Sequence, residues 1–152
     1  MFKGANGLNL DSKGRFAMPT VHRDALASQC NGKLVITVNN TRVRCLWLYP
    51  QDEWDRVEKK VVALPSFDPA AQALKRILIG YATDCELDSA SRLRIPAPLR
   101  EFASLEKHVV LIGQGNKFEL WDEARWKASC DDWLAPENSE TRLSVELESL
   151  SL

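Results

Sequence analysis

The sequence predicts a mostly β protein with helices, folded as one pseudo-symmetric body from two copies of a small unit. Three observations carry that prediction. A ten-residue motif occurs twice. Short apolar, β-branched runs are separated by turn chemistry. Two longer stretches, one between the copies and one after them, carry apolar residues at helical spacing.

The repeat is the strongest of the three. Leu10 to Pro19, LDSKGRFAMP, returns 77 residues later as Leu87 to Pro96, LDSASRLRIP. The shared template is Leu-Asp-Ser-x-x-Arg, three residues, then Pro, and Arg23 matches Arg100 four residues after each proline. LYPQDEW, from Leu48 to Trp54, aligns with LWDEARW, from Leu120 to Trp126, at an offset of 72, so the second copy is five residues shorter in its middle. One unit of about 45 residues is too small to bury a good core and leaves strand edges unpaired. Two interleaved copies close each other's edges, which predicts one body rather than two beads.

Each copy reads as strand, strand, short helix, strand, strand. A first strand ends at Leu10. Asp-Ser-Lys-Gly is turn chemistry, because Asp and Ser bond nearby backbone N–H groups and Gly tolerates positive φ. Arg15 to Met18 is a second strand, and Pro19-Thr20 starts a brief helix with Val21, Ala25 and Leu26 on one face. Lys33 to Val38 and Val43 to Tyr49 are strands around an Asn39-Asn40 turn. The second copy predicts strands near 85–87, 92–95, 108–113 and 117–121, with Pro96 and Pro98 at its short helix and Gln114-Gly115-Asn116 as its turn. A helix from Gln51 to about Val62 has Trp54, Val57 and Val61 at helical spacing. Asp68-Pro69 is an N-cap and first helical position, followed by an apolar stripe of Leu74, Ile77, Leu78 and Tyr81 that stops near Gly80. Asp122 caps a last helix with Trp126, Cys130 and Trp133 along one side. The tail after Pro136 is acidic and weakly patterned. The expected segments are a first repeat at 5–52, a helical insert at 53–80, a second repeat at 81–124, and a C-terminal helix with acidic tail at 125–152.

At 152 residues, 45% hydrophobic and 27% charged, the composition is that of a folded globular domain. No apolar run spans a bilayer, and the opening lacks the apolar segment of a signal peptide, so a cytoplasmic location without membrane association is expected. The four cysteines, Cys30, Cys45, Cys85 and Cys130, form no CxxC pair, so no metal site and no cofactor is expected. The two histidines, His22 and His108, lie in no metal spacing. A Cys30 or Cys45 nucleophile with His22 as base lacks any supporting motif. Asp11 and Asp88 resemble a carboxylate pair, but each is followed four residues on by an arginine, which favours structural pairing. The chain is therefore not expected to be an enzyme.

The net charge of −1 hides a strong polarity. Residues 1–48 carry seven basic and two acidic groups, residues 49–118 are balanced, and residues 119–152 carry three basic and nine acidic groups. Such a chain presents a basic face to a polyanion while its acidic end faces elsewhere; the alternative is that every one of these groups is simply solvated.

Taken together, the doubled hairpin motif, the opening MFKGANGLNLDSKGRFAMP, and the segments CLWLYPQDEW and NKFELWDEARW closely resemble the bacterial MraZ proteins of the AbrB-like (SpoVT/AbrB) superfamily, from Met1 to about Trp133. The resemblance implies a double-ψ β-barrel of two swapped hairpins. It implies a transcriptional regulator, acting as a repressor, at the head of the division and cell-wall gene cluster. It also implies nucleoid association and assembly into a homo-oligomeric ring. The competing reading is a non-catalytic barrel used for protein assembly, antitoxin-like in type.

Within that frame the loop Asp11 to Arg15 is the leading DNA-binding candidate. Lys13 suits a phosphate as a flexible point charge, and Arg15 suits phosphate or, bidentately, guanine. Gly14 lets the backbone approach closely, and Lys3, Arg42 and Arg44 are further phosphate candidates if they share the face. Asp11 orders the turn. Arg15 has a second reading, a structural ion pair with Asp11 or Asp88. In the second loop Ala90 replaces Lys13 and Ser91 replaces the glycine, so Asp88 and Arg92 are expected to be architectural. Head-to-tail ring contacts point neighbouring loops the same way, which predicts binding to direct repeats of double-stranded DNA. The helices at 69–80 and 122–133 are either subunit interfaces or covers for the barrel.

Overall fold

The computed structural model describes residues 1–136 and 145–151. Half of the predicted acidic tail, 137–144, lies outside the described residues. Eight strands form in chain order: β1 (Ala5–Asn9), β2 (Arg15–Ala17), β3 (Lys33–Val38), β4 (Leu46–Pro50), β5 (Thr83–Glu86), β6 (Arg92–Arg94), β7 (His108–Gly113) and β8 (Phe118–Asp122). They make a six-stranded sheet in the order β1-β7-β8-β4-β3-β5 and a two-stranded ribbon of β2 and β6, antiparallel throughout.

The order explains the repeat. The first strand of each copy pairs with the third strand of the other, β1 with β7 and β5 with β3. A pseudo-two-fold axis runs through two cross-strand pairs. In the ribbon, Phe16 faces Leu93, its own counterpart at the offset of 77. In the sheet, Trp47 faces Glu119, its counterpart at the offset of 72. The two sequence offsets are thus two crossings of one axis. The Met18 N–H donates to the Ser91 carbonyl at 2.9 Å and the Ile95 N–H to the Gly14 carbonyl at 2.8 Å, symmetric bonds that extend the ribbon at both ends.

The main core lies between ribbon and sheet. Phe16, Met18, Leu93 and Ile95 from the ribbon side meet Leu34, Ile36, Leu46, Leu48, Leu111, Phe118 and Leu120, all at most 1% exposed. A second cluster lies on the other face of β3 and β4, covered by α2 (Gln51–Val62), whose Trp54 and Val61 are buried as the spacing predicts.

Several expectations change. In α1 (Thr20–Cys30) the buried face is His22 and Leu26, not Val21, which is 75% exposed. An imidazole takes the inner place because Phe2 and Phe118 offer it ring contacts at 5.8 and 4.9 Å. The predicted helix 69–80 divides into α3 (Pro69–Leu74), capped by Asp68 as expected, and a π-helical turn over Lys75–Ile79. The Gly80 N–H reaches back five residues to the Lys75 carbonyl. The wider turn rotates Ile77 out of the stripe, while Leu74, Leu78 and Ile79 still cover the second cluster. The strand expected from Val43 starts only at Leu46, because Asn39 first turns the chain by accepting from the N–H and hydroxyl of Thr41. α4 (Ala97–Phe102) and α5 (Glu123–Leu134) stand where predicted, with Asp122 capping α5; a short α6 (Val145–Glu148) follows.

Candidate nucleic-acid interface

The loop between β1 and β2 is tied by one carboxylate. Asp11 Oδ1 accepts from the backbone N–H of Lys13 and of Arg15, each at 2.9 Å, and Oδ2 accepts from Arg15 Nε at 2.8 Å. The second loop repeats this bond for bond: Asp88 Oδ1 accepts from the N–H of Ala90 and Arg92 at 2.9 Å, and Oδ2 from Arg92 Nε at 2.9 Å. The backbone N–H of Arg15 is the main cause holding the Asp11 carboxyl below its usual range, and that of Arg92 does the same for Asp88. The template residues Asp and Arg therefore build the turn in both copies. Arg15 does pair with Asp11, through Nε alone. Its side chain is 26% exposed, and among the described residues no bond takes its terminal nitrogens.

The turn needs positive φ at its fourth position. Gly14 has φ 76° and Ser91 has φ 58°. Gly14 is buried, and the close approach it makes is to Arg100, whose guanidinium would lie 2.7 Å from a Cβ there. Arg100 Nε is itself buried without a hydrogen-bond partner among the described residues. Its counterpart Arg23 is held differently, donating from Nε to the Met18 carbonyl at 2.8 Å.

Lys13 is exposed at the loop tip. The other predicted cations lie elsewhere. Lys3 sits at the far end of β1, beside the Phe2–Gly115 bridge. Arg44 turns to α4, donating from Nε to the Phe102 carbonyl at 3.0 Å, with its guanidinium 4.2 Å from the Phe102 ring centre. Arg42 and Arg44 border a hollow with Trp121, Arg125 and Trp133.

Sequence reading missed what the ribbon does. Phe16 and Leu93 point into the core, so Arg15, Ala17, Arg92 and Arg94 share the outer face. Arg15 stands opposite Arg94, and Ala17 opposite Arg92. The signal was present, since alternation within RFA and RLR fixes which residues point out. It became readable only with the pairing of two segments 77 residues apart.

The catalytic alternatives find no geometry. Burial pushes the Cys45 thiol up to about 12, the Cys85 thiol to about 11, and raises that of Cys30. His22 packs between Phe2 and Phe118 rather than against a cysteine. Among the described residues no three His, Cys, Asp or Glu side chains gather as a metal site would require, and no helix is long and apolar enough to cross a membrane.

The family model described as "MraZ protein, putative antitoxin-like" matches this chain twice, over residues 1–77 and 78–144. The chain belongs to the MraZ family. Full-length similarity agrees: 52% identity over 152 residues with the Transcriptional regulator MraZ of Thioalkalivibrio sulfidiphilus, and 47% over 152 residues with that of Nitrosomonas europaea, each covering 100% of both chains. The MraZ protein of Halorhodospira halophila is 53% identical over 153 residues, again over all of both chains. These MraZ relatives are named for regulating transcription, not for a reaction.

Proposed function

We propose that this chain is a sequence-specific DNA-binding transcriptional regulator. It acts as a repressor at the promoter of its own division and cell-wall cluster, in the nucleoid, and grips direct repeats through basic loops of a closed ring. In this reading sheet and ribbon wrap into the double-ψ barrel, and Lys13 and Arg15 are the first DNA contacts. The observation that carries it is the outer face of the ribbon, where Arg15 and Arg94 stand beside the exposed Lys13 loop and Arg92 shares the same face. A two-stranded antiparallel ribbon is also of a size that the major groove admits.

The ring has its own support. Val62, Phe67 and Ile77 are exposed around the insert, and Trp133 and Leu134 at the end of α5. These are two different apolar surfaces, as a head-to-tail contact needs. Linking several weak loops in one assembly raises avidity by orders of magnitude. Fluorescence anisotropy on duplexes from the chain's upstream region tests the function. Direct repeats bind more tightly than inverted ones, affinity falls steeply with salt, and Arg15→Ala loses binding with the mass in solution unchanged. Equal binding to both arrangements, or an Arg15→Ala variant that falls apart, overturns it in favour of an assembly module.

A further inference from the structure

We infer that Arg94 takes a backbone phosphate of the bound duplex, so that the second copy's strand, and not its loop, works beside the first copy's loop. The inference rests on the DNA-binding reading above. The bonds from Ile95 to Gly14 and from Met18 to Ser91 mark those as hydrogen-bonded pairs of the ribbon. Alternation then makes Arg15–Arg94 a non-hydrogen-bonded pair, where Cα atoms stand about 4.5 Å apart and side chains are closest. Like charges facing each other there are unfavourable. Arg15 has Asp11 as a partner. Arg94 is exposed, and among the described residues no carboxylate lies within ion-pair distance of it, although Asp84 and Glu86 border the same depression.

The pseudo-two-fold axis weighs against a role in building the ribbon. The counterpart of Arg94 is Ala17, so the ribbon is built at the equivalent place without a cation. The arginine adds repulsion where an alanine suffices. A phosphate offsets both guanidiniums, and the planar fork of arginine matches its oxygens. The ribbon is polar as a result. At one end Lys13, Arg15 and Arg94 have one ion-paired carboxylate, Asp11, while Asp84 and Glu86 border the depression beside Arg94 beyond ion-pair distance; at the other, Arg92 is matched by Asp88. Three cations gathered at one end and one at the other give each protomer a direction on the duplex, as repeats in one orientation require.

The test is a salt series, from about 50 to about 200 mM, on the direct-repeat duplex with the wild type, Arg94→Ala, Arg94→Lys and Arg15→Ala, each checked for mass in solution. Arg94→Ala is expected to bind at least roughly tenfold more weakly. Its slope of log affinity against log salt flattens by about one for each engaged protomer, with equal losses on all operator variants. Arg94→Lys keeps most of the affinity and the slope. Wild-type affinity and slope in Arg94→Ala, with Arg15→Ala still deficient, overturn this inference and leave the DNA reading standing. Losses confined to one base-pair variant at unchanged slope overturn the phosphate assignment in favour of a base contact, and a change of mass makes Arg94 structural. A wild type that does not bind DNA defeats the underlying reading instead.

Discussion

Asp11 and Gly14 do different work in one turn, and substitutions separate them. The Asp11 carboxylate ties two backbone N–H groups and a guanidinium, and its acidity is raised by those bonds. A carboxyl with a lowered folded-state value contributes stability that is present above its ordinary value of 3.8 and lost as pH falls through the folded value. Backbone amide signals of Lys13 and Arg15 are therefore expected to broaden below that point. In Asp11→Asn they should already do so at neutral pH. Gly14→Ala places a Cβ at positive φ against the Arg100 guanidinium and is expected to cost about 1–2 kcal/mol in denaturant unfolding. The equivalent Ser91 is the strained copy, and Ser91→Gly should gain roughly 0.5–1 kcal/mol. At His22 burial lowers the imidazole's proton affinity, so the unfolded chain binds the proton better. Stability should fall as pH drops below 6.5, and His22→Leu should flatten that limb in a thermal-melt series. The turn was legible because Asp and Gly bond and bend locally. His22 was not, because its place depends on Phe2 and Phe118, brought in from both ends of the chain.

At the scale of elements, the ribbon and the central seam carry the axis. Phe16 and Leu93 are 1% and 0% exposed and face each other, so Phe16→Ala is expected to cost about 3–5 kcal/mol. At the other crossing, Glu119 is only 7% exposed and accepts from Trp47 Nε1 and Asn39 Nδ2 on one oxygen and Trp121 Nε1 on the other. Replacing it with leucine leaves three donors unmatched. The loss in chemical denaturation should exceed that for Glu119→Gln by at least about 1–3 kcal/mol. Strands and capped helices were readable from β-branched runs, turn residues, Asp68 and Asp122. The π-helical turn was not. Leu74, Ile77, Leu78 and Tyr81 fit an α-helical stripe, but across the wider turn Leu74 and Leu78 join the second cluster, Tyr81 packs on the main core and Ile77 is left exposed.

For the whole molecule, the charge polarity of the sequence matters less than where pairing gathers it. Of the seven basic residues before position 49, only Lys13 and Arg15 stand at the ribbon end described above; Lys3 and Arg44 are placed elsewhere, and Arg94 arrives from the second copy. The six-stranded order has a last consequence. Sever the polypeptide after residue 77 and each fragment keeps a first strand whose ladder partner lies on the other piece. Mixed fragments should reconstitute a native-like particle, and a lone fragment should remain unfolded or borrow an identical sister to complete itself. Duplication thus converts a partnership between separate molecules into one that no dilution can undo.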